Sequence, residues 1–321
     1  MWRSTRTRRR SLSPRTDLES IERTVTFDGP HSVGATLAPL RRGPGDPTFQ
    51  VAADGVIWRT SLLPTGAVTA RIQRAGRAAV HVQVWGDGAA EFTDGLPGYL
   101  GVDDDRSGFA PTHPTVVAAW RSAPHLRLGR TGQVLEALIP AVLEQRVPGA
   151  DAFRAWRLLV TKYGTVAPGP APPRMRVFPA AQVWRRIPSW EFHRANVDPG
   201  RARTVVQCAA RAAALQRLVQ RPAVEAREAL RSLPGVGIWT AAETAQRAFG
   251  DADALSVGDY HVSKMIGWTL LGHPIGDDEM VELLEPMRPH RHRLVRVLYE
   301  SGLAREPRRG PRLPVQDIRV L

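Results

Sequence analysis

The chain has 321 residues, 43% of them hydrophobic, which is enough to bury one to three cores. Its 44 lysines and arginines outnumber its 31 acidic residues and give a formal net charge of +13, which favours a polyanionic partner such as nucleic acid; the alternative is an arginine-rich surface without a binding role. One cysteine, Cys208, excludes a disulfide framework and a four-cysteine iron–sulfur cluster, and no apolar run has membrane-spanning length, so we expect a cytoplasmic protein without membrane contact.

The amino-terminal third is predicted to be a mixed α+β domain. Residues 1–20 are rich in arginine and predict a disordered basic arm. Over residues 21–110, short alternating segments separated by Gly, Pro and Asp predict a mostly antiparallel sheet. The strands are predicted at 24–27, 49–53, 56–62, 67–72 and 79–85, with a short helix at 32–40. Asp103, Asp104 and Asp105 indicate a linker whose carboxylates lie in solvent rather than on a metal.

An all-α region is predicted over residues 111–304, because the apolar period becomes helical from Pro114 onward. A Pro/Gly-rich segment near 165–178 is predicted to divide this region into two helical groups. Helices are predicted at 114–122, 131–146, 150–163, 180–187, 201–219, 222–233, 238–249, 260–271, 277–286 and 290–301. Residues 305–321 predict an irregular tail. The expected fold class is therefore mixed, with an antiparallel sheet domain ahead of a helical region.

A glycine hairpin joins two of the predicted helices. Residues 222–233 and 238–249 carry apolar residues at helical spacing, and a Pro-Gly pair interrupts the pattern between them. Glycine permits a positive φ and leaves no Cβ in the path of a ligand, and the N–H groups that begin the second helix attract an anion such as a phosphate. The alternative is a tight connection between two core helices. The residues expected to bind a backbone phosphate are Pro234, Gly235, Val236, Gly237 and Thr240.

A lone carboxylate, Asp259, follows the second helix of the hairpin. Cleavage of an N-glycosidic bond develops positive charge on the sugar, as glycoside hydrolysis does, and needs a nearby anion and a positioned water. Asp259 can serve both purposes. The alternative, that Asp259 caps a helix starting at Tyr260, is compatible with catalysis because a helix N-terminus favours a negative charge. Glu243 is the second candidate carboxylate, and Asp251 and Asp253 are expected to lie in solvent.

These motifs resemble those of the helix-hairpin-helix DNA glycosylases, and within that superfamily most of all 3-methyladenine DNA glycosylase II. The resemblance rests on the sequence Leu-Pro-Gly-Val-Gly-Ile-Trp-Thr-Ala at 233–241, on Asp259 followed by Tyr260, and on a helix at 289–299. A weaker similarity lies upstream. It comprises residues 125–128, 143–147 and 163–164, so that the resemblance covers residues 112–303.

The resemblance implies a monofunctional DNA glycosylase that hydrolyses the N-glycosidic bond of alkylated purines in base excision repair. Its implied partner is double-stranded DNA with a damaged base, and the protein is expected to be a monomer associated with the nucleoid. Asp259 is implied as the catalytic carboxylate. The implied walls of the base pocket are Trp239, Tyr260 and Tyr299, whose electron-rich faces attract a cationic base. Strand-cutting relatives have a lysine at the position of Trp239, so no AP lyase activity is expected.

Two further sites are implied by the resemblance alone. Gln145 and Arg146 align with the wedge that fills the gap left by a flipped base, where relatives have a leucine; the alternative for Arg146 is a phosphate contact. The backbone carbonyls of Arg231, Leu233 and Gly235 are implied as ligands of a structural monovalent cation. No cofactor is expected to be required.

Two other functions stay open at this point: a glycosylase for oxidised or deaminated bases, and a helix-hairpin-helix protein that binds DNA without catalysis. Glu243 stands where the resemblance expects an aromatic residue, which bears on the choice of base. The basic segment around His290 and His292 predicts either a contact with the DNA backbone or a solvated face. The tryptophans predicted to lie in the core are Trp184, Trp190 and Trp268.

Overall fold

The structure, a computed structural model, describes residues 19–305 and 317–320. The predicted basic arm at 1–20 and the predicted tail at 305–321 therefore lie almost wholly outside the described residues. The described part of the tail is not irregular, because Ile318–Val320 form a short 3-10 turn and the Ile318 N–H donates to Asn196 Oδ1 at 2.9 Å. Within the described ranges, no helix combines the length and the apolar character needed to cross a bilayer.

The amino-terminal domain is built on a five-stranded antiparallel sheet, and all five predicted strands are confirmed. The strands are β1 (Ile21–Thr26), β2 (Phe49–Val51), β3 (Ile57–Leu63), β4 (Gly66–Arg74) and β5 (Ala79–Trp85). They lie in the order β1-β5-β4-β3-β2, and the register pairs Ile57 of β3 with Ile72 of β4. Val68, Ala70 and Ile72 are fully buried, because alternate residues of a strand share one face.

Three short helices complete the core of this domain: α1 (Val33–Leu37), α2 (Ala89–Asp94) and α3 (Leu96–Tyr99). Ser32 caps α1 by accepting a hydrogen bond from the Ala35 N–H at 3.2 Å, which confirms the short helix predicted at 32–40. The sequence did not predict α2 and α3, because helices of six and four residues are too short to show a helical period.

The helical region contains every helix that the sequence predicts. Its helices are α4 (Pro114–Ser122), α5 (Val134–Leu143), α6 (Gly149–Tyr163), α7 (Ala181–Arg186), α8 (Ser189–Arg194), α9 (Pro199–Ala210), α10 (Ala212–Gln216), α11 (Ala223–Arg231), α12 (Ile238–Ala248), α13 (Val262–Leu270), α14 (Asp277–Leu284) and α15 (Arg291–Glu300). The six-residue helix α8 was not predicted. The helix predicted at 201–219 is divided in the structure, since α9 ends at Ala210 and α10 is followed by a 3-10 turn at Arg217–Gln220.

Two hydrophobic cores divide these helices, but the division does not fall at residues 165–178. The first helical group, α5 to α12, shares a core that contains both Trp156 and Trp184, one on each side of that segment. The second helical group consists of α4 with α13, α14 and α15, and it packs Val116 in one core with Leu298. The predicted boundary is therefore wrong, because α4 packs against helices that lie far along the chain rather than against its neighbour α5.

The three tryptophans predicted to be core residues have different environments. Trp184 is fully buried in the first helical group, and Trp268 on α13 is half-buried. The prediction for Trp190 is wrong, since 63% of its surface on α8 is exposed. Cys208 is fully buried and free, as a small apolar residue of α9.

Two aspartates expected in solvent are buried in ion pairs instead. Asp251 lies 2.5 Å from Arg227 Nη1, and Asp253 lies 2.6 Å from Arg291 Nη2. Burial raises the pKa of the Asp251 carboxyl, and the Arg227 charge opposes that rise. The expectation was wrong because both arginine partners come from other helices, α11 and α15, and a loop sequence does not show them.

Most of the basic segment at the start of α15 is buried and is therefore neither a DNA contact nor a solvated face, although Arg288, just before the helix, is exposed. His290, His292 and Arg293 are at most 8% exposed. Arg293 Nη2 lies 2.6 Å from Asp104 Oδ1, so this predicted linker carboxylate is not in solvent either. Burial, followed by the charge of Arg296, lowers the pKa of His292 well below its usual value, so its ring is neutral.

Candidate active site at the glycine hairpin

The hairpin between α11 and α12 requires glycine at one of its two glycine positions. Gly235 has a φ of +83°, and a Cβ there would lie 2.1 Å from Thr204 Oγ1 of α9. Gly237 has a φ of −87°, and a Cβ there would meet nothing within 4 Å. Gly235 is therefore required by the packing of the hairpin on α9, whereas Gly237 leaves open surface for a ligand. No pattern in the sequence of α9 indicates the contact with Thr204.

The start of α12 faces solvent. Pro234, Gly237 and Ile238 are exposed, whereas Val236 is buried and fixes the hairpin to the core of the first helical group. The first N–H groups of any helix have no intrahelical acceptor, and the helix dipole adds positive potential at that end. The hairpin therefore has the geometry of an anion site, in keeping with its predicted role.

Asp259 is held at the hairpin by Trp239. The indole Nε1–H of Trp239, on the first turn of α12, donates to Asp259 Oδ2 at 2.9 Å. The other oxygen, Oδ1, accepts from the His261 N–H at 2.8 Å and from the Val262 N–H at 3.1 Å. The N-cap residue of α13 is His261, so the predicted helix start at Tyr260 is wrong by two residues, but Asp259 still binds the N–H groups of this N-cap residue and of the first helical residue. Three donors orient this half-buried carboxylate.

The Asp259 site lies where the two helical groups meet. Trp239 belongs to α12 of the first group, and Asp259 caps α13 of the second. Their hydrogen bond therefore joins the two groups. Ligand sites are common at such junctions, because two packed bodies form a concave surface between them.

The turn that follows α5 lies against the hairpin. Gln145 Nε2 donates to the Gly235 carbonyl at 2.9 Å and to Thr240 Oγ1 at 2.8 Å. The Thr240 side chain is buried and engaged in this contact, so only its backbone N–H, in the first turn of α12, is available to a phosphate. The next residue, Arg146, is exposed and has a φ of +54°, which is uncommon for a residue with a side chain. Of the two predicted wedge residues, Arg146 is the one that faces solvent.

Solved structures share the fold of this chain. The 3-methyladenine DNA glycosylase from Archaeoglobus fulgidus matches with a TM-score of 0.71 at 16% identity, over 87% of this chain and 98% of that chain. The apo form of the 8-oxoguanine glycosylase/lyase from Clostridium acetobutylicum matches with a TM-score of 0.67 at 13% identity, over 88% and 99%. The chain has the helix-hairpin-helix DNA glycosylase fold.

Comparison by sequence finds no match, in contrast to comparison by structure. No protein-family model matches the chain, and no curated protein sequence matches it. The Clostridium acetobutylicum enzyme in complex with double-stranded DNA containing cytosine opposite 8-oxoguanine also matches, with a TM-score of 0.63 at 13% identity, over 89% of this chain and 99% of that chain. The helix-hairpin-helix glycosylase fold is thus shared by enzymes named for two different damaged bases.

On this glycosylase fold, two of the three predicted pocket aromatics lie at Asp259. Trp239 touches the carboxylate directly, and Tyr260 is its neighbour in the chain. Tyr260 is 58% exposed, and Lys264 Nζ lies 4.0 Å from the centre of its ring in a cation–π contact. Tyr299 lies on α15 and is 41% exposed.

Glu243 is not available as a second catalytic carboxylate. Its Oε2 forms an ion pair with Arg247 Nη1 at 2.7 Å, and its Oε1 accepts from Ser256 Oγ at 2.6 Å. Burial alone would lower the pKa of Arg247, but the charges of Glu243 and Glu144 outweigh burial. The pKa is therefore raised above its usual value, and the guanidinium stays charged. Glu243 therefore holds the loop that precedes Asp259 against α12, and its role is structural.

The three carbonyl oxygens implied as ligands of a monovalent cation have lone pairs with which they could bind an ion. The Leu233 carbonyl accepts from the Val236 N–H at 3.0 Å, and the Gly235 carbonyl accepts from Gln145. Each oxygen has two lone pairs and keeps one for an ion, and the Arg231 carbonyl lies at the end of α11, where carbonyls have no intrahelical donor. Among the described residues, no group of three His, Cys, Asp or Glu side chains could hold a metal ion.

A small cavity lies behind α12 and does not belong to this site. It is lined by residues of the amino-terminal domain, such as Leu37 and Tyr99, and by Arg247 and Arg296 of the helical region. Its lining includes neither the hairpin nor Asp259, so the candidate chemistry is at the surface junction instead.

Proposed function

We propose that this protein is a DNA glycosylase, which hydrolyses the N-glycosidic bond of a damaged base in double-stranded DNA as the first step of base excision repair. The observation that carries the proposal is the Asp259 carboxylate, oriented by Trp239 and by the start of α13 beside a hairpin suited to a phosphate. A protein that only binds DNA has use for the hairpin but none for an oriented carboxylate, which disfavours the non-catalytic alternative.

The proposed DNA contact begins at the hairpin. The first N–H groups of α12 bind one backbone phosphate, and the missing Cβ of Gly237 gives that phosphate room. The net charge of +13 adds an attraction that is independent of sequence and that salt weakens. A monovalent cation on the carbonyls of Arg231, Leu233 and Gly235 is part of this proposal and supplies further positive charge to the phosphate.

The proposed reaction places Asp259 next to the sugar of the damaged nucleotide. As the bond between C1′ and the base nitrogen breaks, its electron pair leaves with the base and positive charge develops on the sugar. The fixed carboxylate stabilises that charge and orients a water molecule, whose oxygen bonds to C1′. The proton that the water loses passes to the carboxylate. A cationic alkylated purine leaves as a neutral base, whereas a neutral purine leaves as an anion that takes a proton from solvent.

The proposed substrate is an alkylated purine of the 3-methyladenine type. Alkylation gives the purine a positive charge, and the face of Trp239 beside Asp259 attracts a cation. Tyr260 and Tyr299 are the other proposed walls of the pocket. Trp239 has no amine and cannot form the Schiff base through which a lyase cuts the strand, so the proposed product is an intact abasic site. The likeness of the fold to the Archaeoglobus fulgidus 3-methyladenine enzyme supports this choice.

Arg146 is the proposed wedge. A base inside a duplex reaches Asp259 only after it leaves the stack, and a side chain then fills the gap. A guanidinium can both stack and donate hydrogen bonds in such a gap. The exposed side chain of Arg146 lies on a turn that Gln145 joins to the hairpin, so the proposed phosphate contact and the proposed wedge form one surface.

An oxidised or deaminated base is the second candidate substrate. The Glu243–Arg247 ion pair places charged groups one turn beyond Trp239, where the resemblance expects an aromatic residue. A neutral damaged base is recognised by hydrogen bonds rather than by its charge. The likeness of the fold to the Clostridium acetobutylicum 8-oxoguanine glycosylase/lyase supports this alternative.

The test is the release of free base from duplex DNA by the wild type and by Asp259→Asn, measured by chromatography. Asparagine keeps an oxygen that can cap α13, so the variant should fold. We expect methylated adenine from a methylated duplex, and a loss of roughly 10²-fold or more in the variant, which is the size of a lost acid–base group. Duplex affinity should stay close to that of the wild type.

A duplex with 8-oxoguanine opposite cytosine, assayed in parallel, decides between the two substrates. Strand cleavage without heat or alkali contradicts the monofunctional reaction. If the wild type binds duplex DNA but releases neither base, the glycosylase proposal gives way to a DNA-binding function.

A further inference from the structure

The turn that carries Arg146, residues 144–146 and here named the wedge turn, is held by one contact just before it and one within it. Just before it, the carbonyl of Leu143 at the end of α5 accepts a hydrogen bond from Arg201 Nη1 of α9 at 2.6 Å. Within it, Gln145 donates to the Gly235 carbonyl of the hairpin at 2.9 Å. Both of these contacts come from the first helical group, to which α5 itself belongs.

A third contact comes from the amino-terminal domain. Arg42 Nη1 lies 3.1 Å from Glu144 Oε1, and the two side chains are only 7% and 17% exposed. Water screens such a pair weakly, and removal of one partner leaves the other charge buried without compensation. The Arg42–Glu144 ion pair therefore contributes more to the position of the wedge turn than an exposed surface pair would.

Arg42 is itself held in place. Its N–H donates to Asp46 Oδ2 at 2.7 Å, and the fully buried Asp46 accepts from Trp156 Nε1 of α6 at 2.9 Å. Gly43 has a φ of +73°, and a Cβ there would lie 2.6 Å from the Phe153 ring of α6. This loop of the amino-terminal domain is thus packed on α6, the helix that follows the wedge turn, which fixes the backbone from which the Arg42 side chain reaches Glu144.

The backbone of Arg146 needs such support. A left-handed conformation costs a residue with a side chain on the order of 1 kcal/mol or more, and it persists only where neighbouring contacts impose it. Contacts to Leu143, Glu144 and Gln145, the three residues that precede Arg146, provide that constraint from three different parts of the molecule.

We propose that Arg42 is a positioning residue for base extrusion: through its ion pair with Glu144, the amino-terminal domain holds the wedge turn in the orientation in which Arg146 enters the duplex. This inference rests on the proposed glycosylase function and extends it, because it gives the sheet domain a task in the reaction. Arg42 acts through Glu144 and does not touch DNA.

The experiment compares Arg42→Gln with Arg59→Gln as a matched control. Arg59, on β3, forms a buried ion pair with Glu136, so it also joins the amino-terminal domain to α5. Glu136 lies about two helical turns before the wedge turn, however, so this pair does not touch the turn. Arg42→Lys is the conservative variant, which keeps the charge. All proteins are compared at a temperature at which circular dichroism shows them fully folded.

Hydrogen exchange in the free protein gives the first readout. Amide exchange at residues 144–147 should accelerate in Arg42→Gln, stay close to the wild type in Arg42→Lys, and not respond in Arg59→Gln. This readout reports whether Arg42 holds the wedge turn and needs neither DNA nor activity.

Single-turnover kinetics give the second readout, with 2-aminopurine beside a methylated adenine to report extrusion. Arg42→Gln should reduce the fluorescence rise and slow base release roughly tenfold, since a displacement of about 1 Å can cost up to about 100-fold. The duplex Kd should change little, because the hairpin is intact, and Arg42→Lys should restore most of the rate.

Unchanged exchange at 144–147 in Arg42→Gln overturns the inference. So does an equal slowing of base release by Arg42→Gln and Arg59→Gln at matched stability, since a purely structural role predicts that result. If the wild type releases no base from any duplex, the proposed function fails instead, and the exchange result then decides by itself whether Arg42 holds the wedge turn.

Discussion

The hairpin and the wedge turn lie side by side, but they are held in different ways. At the hairpin, Gly235 provides the required backbone conformation, and Asp259 binds N–H groups that are two and three residues away at the start of α13. At the wedge turn, Arg201 and Gly235 contribute contacts from 58 and 90 residues away. Local backbone geometry therefore orients much of the candidate chemistry, with one added hydrogen bond from Trp239, whereas tertiary contacts hold the turn that accompanies it.

Gly235→Ala should have the largest effect of the variants at the hairpin, because it replaces the residue on which the hairpin conformation depends. A left-handed φ and a Cβ in contact with Thr204 together should lower the free energy of unfolding by about 2–3 kcal/mol. Duplex affinity should fall with it. Chemical denaturation and fluorescence anisotropy with a labelled duplex measure the two effects.

Gly237→Ala is the control for that variant. Its Cβ has open space around it, so the free energy of unfolding should change by no more than about 0.5 kcal/mol. Duplex affinity should still fall, because the added methyl group lies on the surface that the phosphate approaches. Equal destabilisation by the two variants would show that contact with Thr204 does not set the hairpin.

Trp239→Phe tests how much the indole N–H contributes to the orientation of the Asp259 carboxylate. It keeps an aromatic ring but removes the indole N–H that orients Asp259 Oδ2. Base release should slow roughly tenfold, which corresponds to about 1.4 kcal/mol of lost orientation, while duplex affinity and melting temperature change little. A rate equal to that of the wild type would mean that the cap on α13 orients Asp259 without help from α12.

Acid should destabilise the amino-terminal domain through His31, and this effect should be smaller than those of the substitutions at the hairpin. Burial lowers the pKa of His31 to about 4, against the raising effect of its hydrogen bond to the Leu100 carbonyl, and the charges of Arg127 and His125 lower it further. The folded ring binds a proton less readily than the unfolded ring, so this stability is present above pH 6.5 and is lost as the pH falls towards 4.

The free energy of unfolding should therefore decrease with acid across that window. The slope from His31 should not exceed roughly 1.4 kcal/mol per pH unit, because only one proton is bound on unfolding. Denaturation at several pH values, compared with His31→Gln, measures it. The variant should have a flatter profile, and an identical profile would assign the acid sensitivity to other groups such as the buried His292.

The parts of the molecule that the sequence predicts correctly are those governed by local rules. All five strands follow from alternation, and the bonds of Asp259 to the N–H groups at the start of α13 follow from a short polar residue before an apolar helical pattern. Gly235 follows from the Pro-Gly break between two helices. The helices α2, α3 and α8 were missed because their four to six residues complete too few turns.

The partners of charged side chains could not be predicted in the same way. Asp104 looks solvated in an Asp-rich loop, but it is buried against Arg293, which lies 189 residues further along the chain. Glu243 has an i,i+4 partner, Arg247, that the helical pattern of α12 does show, but its second partner, Ser256, lies outside that helix. Such pairs depend on which helices pack together, and the sequence does not state that, as the assignment of α4 to the second helical group shows.

The bond between Trp239 and Asp259 spans the junction of two separately packed bodies. Local opening of a protein costs less free energy than its global unfolding, and a junction between two cores is a natural place for such opening. When the bodies separate there, the indole leaves the carboxylate while every helix keeps its own hydrogen bonds. Heating should therefore abolish turnover several degrees before it abolishes the helical circular dichroism signal, and cooling should restore both.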